Sequence, residues 1–313
     1  MSGVPVDRVD LTTMLADRLF SSPVMTASGC AGNGRELAQF CDLAELGAFV
    51  TASVTRDASG GQPLPRAVET PAGTLSAVGL PGHGVDAFLA TDLPWLLQRD
   101  ARPIVSVAGT SLGEYAELAR RVGNTPGIAG IEVNLAHGPA FDPVHASRAV
   151  SVVRRDAAAG VPVFAKLWPG AAPVVDLAAS VLEAGADAVV LPGSMPGLAI
   201  DPATLRPRLG AVTGELCGPA LLTVGLLAVW EVRRALPSAC IVGVGGIRTC
   251  ADVLAYLAVG ADAVQVGTAI FSDPATPLRV VEELRVLLAA HGFTSPRQAR
   301  GVAHIAVSRR GEE

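Results

Sequence analysis

Eight short, continuously apolar segments recur along the chain, and segments with helical spacing separate them. Parallel strands covered on both faces form such runs instead of alternating apolar and polar residues. Eight β-then-α units in 313 residues predict a single (β/α)8 TIM barrel of the α/β class over residues 1–313, with a doubly wound open sheet as the alternative. The predicted strands are Val24–Ala27, Phe49–Val54, Ile104–Ala108, Gly130–Leu135, Val163–Leu167, Ala188–Leu191, Ile241–Val244 and Ala263–Val266.

Amphipathic spacing predicts the helices between these strands. The tetrapeptides AGAD (184–187) and VGAD (259–262) repeat one junction, in which Gly ends a helix and Asp precedes a strand. The connection 55–84 exceeds the usual loop length of about 12–15 residues and is therefore expected to be functional, and the connection 198–212 is also long. The predicted helices are Arg35–Leu46, Leu112–Val122, Val174–Ala184, Ala251–Ala258 and Thr276–Ala290.

Charge and composition exclude several classes of protein. A net charge of −5 disfavours a nucleic-acid or anionic-membrane surface. Hydrophobic residues make up 50% of the chain and charged ones 17%, which excludes disorder. The longest uncharged apolar stretch, Leu216–Trp230, is shorter than the roughly 20 residues of a membrane span. No apolar signal-peptide core is visible near the start, so a cytoplasmic protein is expected.

Cysteine and histidine patterns point away from disulfides and metals. The five cysteines form no CxxC pair, and the five histidines form no HExxH motif. The cysteines are therefore interpreted as small apolar residues or free thiols, and no metal site is predicted.

Lys166 is the single lysine of the chain, against 23 arginines. It ends the fifth predicted strand in VFAKLWPG, and Asn134 ends the fourth in GIEVNLAHG. Side chains at the carboxyl ends of barrel strands form the active sites of such folds. A compact ammonium and an amide with both donor and acceptor suit the polar edge of a bound ring. A structural hydrogen bond is the alternative interpretation of each.

The ends of the last two predicted strands are rich in glycine. They read VGVGGI (242–247) and VQVGTAI (264–270) and would meet at the carboxyl edge of the barrel. Free backbone N–H groups at that edge commonly bind phosphate, which favours a phosphate site over the alternative of tight turns that need glycine.

Seven motifs, in order along nearly the whole chain, resemble those of the class 1 dihydroorotate dehydrogenases. The resemblance implies an FMN-binding (β/α)8 barrel that is an oxidoreductase acting on CH–CH groups. That family oxidises dihydroorotate to orotate. The motifs are ASGCAGNG (27–34), QPLPRAVETPAGTLSAVGL (62–80), IEVNLA (131–136), AKLWP (165–169), GPA (218–220), VGGI (244–247) and VGTAIFSDP (266–274).

On the flavin side, the resemblance implies FMN contacts at most matching positions. Lys166 matches the family lysine that faces the flavin, where a positive charge stabilises the anionic reduced ring. Ser106 stands in place of an asparagine, and Thr51 in place of a lysine that meets flavin and orotate. The implied FMN-binding residues are Ala27, Ser28, Gly29, Thr51, Ser106, Asn134, Lys166, Gly218, Gly245, Gly246, Gly267 and Thr268.

On the substrate side, the chain departs from the family. Ser76 replaces one asparagine, Pro81 and Gly82 stand at the next, and Gly193–Ser194 replaces an asparagine–threonine pair. With the missing lysine, these changes remove one positive charge and three amides that would recognise orotate. The predicted substrate-binding residues are Ser76, Asn134, Gly193 and Ser194.

The loop after Asn134 reads LAHGPAFDP (135–143), lacks the family's cysteine base and is about eight residues shorter. In one alignment His137 replaces that cysteine, where an ordinary pKa of about 6.5 suits general acid–base catalysis. In the other, His137 matches a histidine further along the family loop and the cysteine is deleted. His137 is the catalytic candidate, and a solvated loop residue is the alternative.

Three functions remain open at this stage. The main prediction is an FMN-dependent oxidoreductase of specialised metabolism, acting on a C–C bond next to a carbonyl in a substrate other than dihydroorotate. One alternative is a genuine dihydroorotate dehydrogenase of pyrimidine biosynthesis with a His base, and the other is a non-catalytic FMN-binding partner subunit. The resemblance also implies a homodimer and an electron-transfer partner subunit.

Overall fold

The computed structural model describes residues 3–135, 143–168 and 172–305. Within these ranges the strands, in chain order, are β1 (Thr13–Leu15), β2 (Arg18–Phe20), β3 (Val24–Thr26), β4 (Phe49–Val50), β5 (Ala67–Thr70), β6 (Gly73–Ser76), β7 (Pro103–Val107), β8 (Gly130–Asn134), β9 (Val163–Lys166), β10 (Ala188–Leu191), β11 (Met195–Leu198), β12 (Ile200–Asp201), β13 (Arg206–Pro207), β14 (Thr213–Cys217), β15 (Ile241–Val244) and β16 (Ala263–Val266).

Helices alternate with most of these strands. They are α1 (Gly84–Ala87), α2 (Leu93–Leu97), α3 (Leu112–Gly123), α4 (Pro143–Asp156), α5 (Val174–Glu183), α6 (Leu222–Ala235), α7 (Cys250–Ala258), α8 (Ala269–Ser272), α9 (Thr276–Ala290) and α10 (Pro296–Ala299).

The central sheet is a parallel barrel with strand order β3–β16–β15–β10–β9–β8–β7–β4. A parallel bridge between Met25 and Ala48 joins its two outer strands. At this seam Thr26 Oγ1 accepts from the Val50 amide at 2.8 Å and lies 3.2 Å from the Val50 carbonyl. The predicted (β/α)8 barrel is therefore confirmed, and the barrel ladder strands end within about a residue of prediction except β4, which is shorter.

The repeated Gly–Asp junction ties helix to strand at two places. The Asp187 carboxylate accepts from the Val163 amide at 2.7 Å, and Asp262 accepts from the Ile241 amide at 2.9 Å, so each carboxylate anchors the start of the neighbouring strand. Each also binds an arginine of a preceding helix. Gly260 has φ +114°, and a Cβ there would lie 2.5 Å from the Arg233 side chain. The repeat is thus a structural device.

The predicted helix Arg35–Leu46 is wrong. The segment forms two short 3-10 turns, Leu37–Gln39 and Leu43–Glu45. The Asp42 side chain accepts from the Ala44 amide at 3.0 Å, which offers the backbone an alternative to helical hydrogen bonds. The helical spacing would turn Leu37, Phe40, Cys41 and Leu46 to one face. Leu37, Cys41 and Leu46 are buried, whereas Phe40 is exposed, so the spacing predicted burial only in part.

The first long connection supplies β5 and β6, and the strands β11 and β14 that flank the second one pair with them in one antiparallel sheet, with strand order β11–β14–β6–β5. We call this sheet the roof. Ser76 of β6 is paired with Glu215 of β14, although 139 residues separate them in the chain. Its side chains line a cavity together with residues at the carboxyl ends of the barrel strands. The length of these connections is thus explained by the cavity that they enclose.

The opposite end of the barrel interior is closed by the hairpin β1–β2. Leu15 and Phe20 of this hairpin are buried in the same apolar cluster as Phe164 and other inward-facing strand residues. The functional end is therefore the carboxyl end of the strands. Among the described residues, no helix combines the length and apolar character needed to cross a bilayer.

Candidate active site

A cavity of about 660 Å³ lies between the barrel and the roof. Its floor is formed by residues at the carboxyl ends of barrel strands, and its cover by side chains of β6 and β14. The floor includes Ala27, Ser28, Gly29, Asn134, Lys166, Gly245, Gly246, Gly267 and Thr268, and the cover includes Thr74, Ser76, Thr213, Glu215 and Cys217.

One end of the cavity floor presents backbone amides. Gly246 has φ +75°, and a Cβ there would lie 2.5 Å from the backbone nitrogen of Leu222. Glycine is therefore needed at this position, both for its backbone conformation and for the close approach of α6. Within the described ranges, the backbone N–H groups of Gly246, Gly267 and Thr268 have no protein acceptor. These donors suit a phosphate group.

Lys166 is the buried cation of the floor. Its Nζ donates to Ser28 Oγ at 2.9 Å and to Gln265 Oε1 at 3.4 Å. Glu132 Oε1 lies 3.7 Å from Nζ, and the Glu132 side chain is fully buried beneath it. Gln265 Nε2 donates to Glu132 Oε2 at 2.7 Å. A carboxylate inside the barrel thus balances the lysine charge, while the ammonium faces the cavity.

Asn134 is fixed by hydroxyl groups on both sides. Tyr115 OH donates to the backbone carbonyl of Asn134 at 2.9 Å, and the side-chain Nδ2 of Asn134 donates to Ser53 Oγ at 2.9 Å. Ser53 Oγ is in turn 2.9 Å from Ser106 Oγ. This chain of hydrogen bonds holds the amide at the cavity in one orientation, as recognition of a ring edge requires.

Two predicted FMN-binding residues need correction in position. Thr51 is fully buried and does not line the cavity, because its Oγ1 accepts from the Ser106 amide at 3.1 Å. Ser106 is likewise buried behind Ser53. The residues that face the cavity from this side are the neighbours Ala52 and Ser53.

The structure brings the other predicted FMN-binding residues together around the cavity. The predicted substrate-binding residues Ser76, Asn134, Gly193 and Ser194 also line it. Their roles stay predictions. The predicted catalytic residue His137 lies outside the described residues, as does most of its loop. No group of three or more metal-ligating His, Cys, Asp or Glu side chains occurs in the ranges that the structure describes.

Sequence reasoning missed several polar residues of the cavity, among them Cys30, Glu215 and Cys217. Burial raises the pKa of Cys30 to about 11, and the charge of Lys166 opposes this shift. Burial raises the pKa of Cys217 to about 12, with contributions from Cys30 and Glu215 in the same direction. Both side chains are therefore neutral thiols. Glu215 escaped notice because nothing local marks it, and its place depends on the pairing of β14 with β6.

The residues around the cavity fit FMN. Backbone N–H groups at one end suit the phosphate, whereas Lys166 and Asn134 offer a cation and an amide to the polar edge of the ring. Gly29 has φ +88°, and a Cβ there would meet no atom within 4 Å, so this backbone borders open space in which a flat ring has room.

Comparisons with known proteins identify a family. The family model described as dihydroorotate dehydrogenase matches residues 10–288. A protein named dihydroorotate dehydrogenase B (NAD(+)), catalytic subunit, from Pelobacter propionicus is 41% identical over 291 residues, which cover 90% of this chain and 95% of that protein. A protein of the same name from Geotalea daltonii is 39% identical over 304 residues, which cover 95% of this chain and 99% of that protein.

Proposed function

The chain belongs to the dihydroorotate dehydrogenase family, an FMN-dependent family of oxidoreductases that act on CH–CH groups, and we propose that the cavity between barrel and roof performs this chemistry. FMN, when bound, accepts or supplies the hydride. The residues described above hold it, with Gly246, Gly267 and Thr268 at the phosphate and Lys166 and Asn134 at the ring.

The observation that carries the proposal is the combination of unpaired amides and a buried lysine in one cavity. Lys166 is held between Ser28 and Glu132, so its ammonium is oriented before any ligand enters. A fixed cation at the ring edge favours the reduced, anionic form of a flavin without reorganisation during the reaction. The roof covers the face on which a substrate would lie, since residues of its two central strands line the cavity over the strand ends.

Two candidate substrates follow from different observations. The names of the relatives favour dihydroorotate, which is the alternative from the sequence and is better supported by the comparisons than the main prediction. The charges of the cavity favour another substrate. Among the described residues that line it, Lys166 and Glu215 are the charged ones, and Lys166 already faces Glu132, so no cation is left for the carboxylate of dihydroorotate.

The experiment that separates these candidates is anaerobic mixing of the FMN-loaded protein with dihydroorotate. Prompt bleaching of the flavin absorbance, with release of orotate, would support dihydroorotate as the substrate. An unchanged spectrum, in protein whose flavin dithionite still reduces, would support the second candidate. Protein that retains no FMN after purification or reconstitution would contradict the proposed function itself.

We further propose that this chain works with a second subunit that carries electrons. The relatives are named catalytic subunits, and NAD(+) stands in their names. Co-purification with the product of a neighbouring gene, followed by reduction of the bound flavin with NADH in the complex, tests this assembly. Reduction of the isolated chain by NADH at the same rate would argue against a separate electron-carrying subunit.

A further inference from the structure

Val212 adopts a backbone conformation that β-branched residues rarely tolerate. Its φ is +68°, and it is the β-branched member of the five non-glycine residues with positive φ in the described ranges. The Thr213 amide donates to the carbonyl of Ala211 at 2.8 Å, and this hydrogen bond closes a γ-turn around Val212. A γ-turn with positive φ is the rare, strained form, so the surrounding structure must hold Val212 in place.

The strained turn lies at the rim of the cavity, in a segment of residues 210–213 that we call the strap. Ala211 and Thr213 line the cavity on either side of Val212, whereas Val212 itself is 52% exposed to solvent. Within the part of the chain that the structure describes, the Thr213 hydroxyl has no hydrogen-bond partner. A ligand in the cavity can therefore contact the strap directly.

The strap is anchored at both ends. Before it, Leu209 is buried, and its carbonyl accepts from the Val212 amide at 3.1 Å. At its other end, Thr213 begins β14 of the roof and pairs with Leu198 of β11. A change of conformation at Val212 must therefore be taken up between these two anchors.

A close backbone contact holds the strap against the first long connection. The Gly210 amide donates to the Pro65 carbonyl at 2.9 Å, and a Cβ on Gly210 would lie 2.4 Å from the carbonyl oxygen of Leu64. The contact therefore requires glycine, because a side chain at this position would push the strap away from Leu64. The arrangement is thus a closed one.

We propose that the strap is a gate over the cavity and that a bound ligand holds it closed. When Val212 leaves its positive φ, the γ-turn breaks, the chain between the two anchors lengthens, and the strap bows away from the rim. The strain at Val212 favours this open state, whereas a ligand that contacts Ala211 and Thr213 favours the closed one. The gate rests on the proposed function in one respect, because FMN is the ligand that the cavity would hold.

Two substitutions should move the gate in opposite directions. Val212→Gly removes the conformational penalty of the closed state and should slow the release of FMN by about tenfold. Gly210→Ala places a methyl group against the Leu64 carbonyl and should speed the release by about the same factor. The rate is measured from the recovery of flavin fluorescence after dilution of the loaded protein.

Leu205→Gly is the matched control. Leu205 also has a positive φ, of +57°, and is exposed, but it lies between β12 and β13 and does not line the cavity. Glycine at this position adds the same freedom to the unfolded chain, and FMN release should keep the wild-type rate.

Hydrogen exchange reports on the strap without any flavin. In FMN-free protein, the amides of residues 210–213, corrected for their intrinsic rates, should exchange about tenfold more slowly in Val212→Gly than in the wild type. They should exchange faster in Gly210→Ala. In the wild type, FMN should protect the same amides.

The outcomes distinguish the gate from the proposed function. Equal rates of FMN release in the wild type and both strap variants, or strap amides that FMN does not protect, would overturn the gate although the protein still binds flavin. Failure of the wild type to hold FMN would contradict the proposed function instead. In that case, equal exchange rates in the FMN-free variants would overturn the gate as well.

Discussion

Lys166 and Glu132 face each other inside the barrel, with 3.7 Å between Nζ and Oε1 and the carboxylate fully buried. Oε1 of Glu132 accepts no hydrogen bond from the described residues, so the lysine charge is its compensation. The pair is asymmetric, because the ammonium reaches the cavity and the carboxylate does not. The charge at the floor of the cavity is therefore set by two residues, of which Glu132 does not line the cavity.

Replacing Glu132 by Gln should raise the reduction potential of bound FMN. The substitution leaves Lys166 without its counter-charge and keeps an acceptor for Gln265 Nε2. A stronger positive field at the ring stabilises the reduced anion. A tenfold gain in this equilibrium corresponds to a rise of about 30 mV in the reduction potential. Spectroelectrochemistry measures the shift, and Glu117→Gln on the outer face of α3 is the control. An unchanged reduction potential would show that Glu132 does not influence the flavin.

Replacing Lys166 by Ala should weaken FMN binding and destabilise the fold, because Glu132 would remain buried without a partner. Lys166→Arg should not fully restore binding, since a planar guanidinium needs more room than an ammonium. Equilibrium dialysis against FMN and urea unfolding report the two effects. The double variant Lys166→Met, Glu132→Gln should recover stability and not FMN affinity. Recovery of both would show that Lys166 acts only as a structural partner.

Replacing His137 by Ala should slow turnover of the true substrate by about 10²–10⁴-fold if this residue is the general acid–base group. His137→Asn should do the same, since an amide cannot take a proton. The FMN content of both variants should equal that of the wild type. His145→Ala on α4 serves as the control. Wild-type turnover in His137→Ala would favour the alignment in which the family cysteine is simply deleted.

The two Gly–Asp junctions offer a matched test of stability. Asp262 binds Arg233 and Arg300 with only 7% of its side chain exposed, whereas Asp187 binds Arg154 at 39% exposure. Asp262→Asn should lower the free energy of unfolding by about 3 kcal/mol, because it leaves buried guanidinium charge unpaired. Asp187→Asn should cost about 1 kcal/mol or less. Urea denaturation measures both, and equal losses would contradict the role of burial.

The thiols should react slowly in the native protein. Burial raises the pKa of Cys30 and Cys41 to about 11 and of Cys217 and Cys240 to about 12, and it also raises that of Cys250. At pH 8 a thiol with a pKa of about 11 is ionised in roughly one molecule in a thousand.

Iodoacetamide labelling at pH 8 should therefore be slow in the folded protein and fast for all five cysteines in urea. Because the unfolded chain releases these protons from about pH 9, the free energy of unfolding should fall as the pH rises from 9 through 11. A cysteine labelled rapidly at pH 8 would show that its site opens to solvent.

The barrel was predictable because periodicity is a local property. The runs at Ala188–Leu191, Ile241–Val244 and Ala263–Val266 match the observed strands residue for residue, since burial on both faces leaves a signal in each run alone. The tight turn at Gly245 and Gly246 was predictable for the same reason, because both residues adopt the positive φ that glycine favours.

The roof was not predictable, because it depends on pairing between distant segments. Glu215 acquires its place from Ser76, and no pattern within either segment indicates that they meet. Thr51 fails to line the cavity for a related reason. Its Oγ1 accepts from the amide of Ser106, which lies 55 residues further along the chain, and a motif match does not show such a contact.

The pairing of β6 with β14 has a consequence for fragments of this chain. A cut near Gly160, an exposed turn, leaves β5 and β6 on the first piece and β11 and β14 on the second. Neither piece alone can build the cover, and the floor is divided as well, with Asn134 on one side of the cut and Lys166 on the other. Two such halves, each fused to one of a pair of interacting proteins, would regain the yellow colour of the flavoprotein only on meeting. The assembled cavity would then serve as a reporter of binding between the two fused proteins.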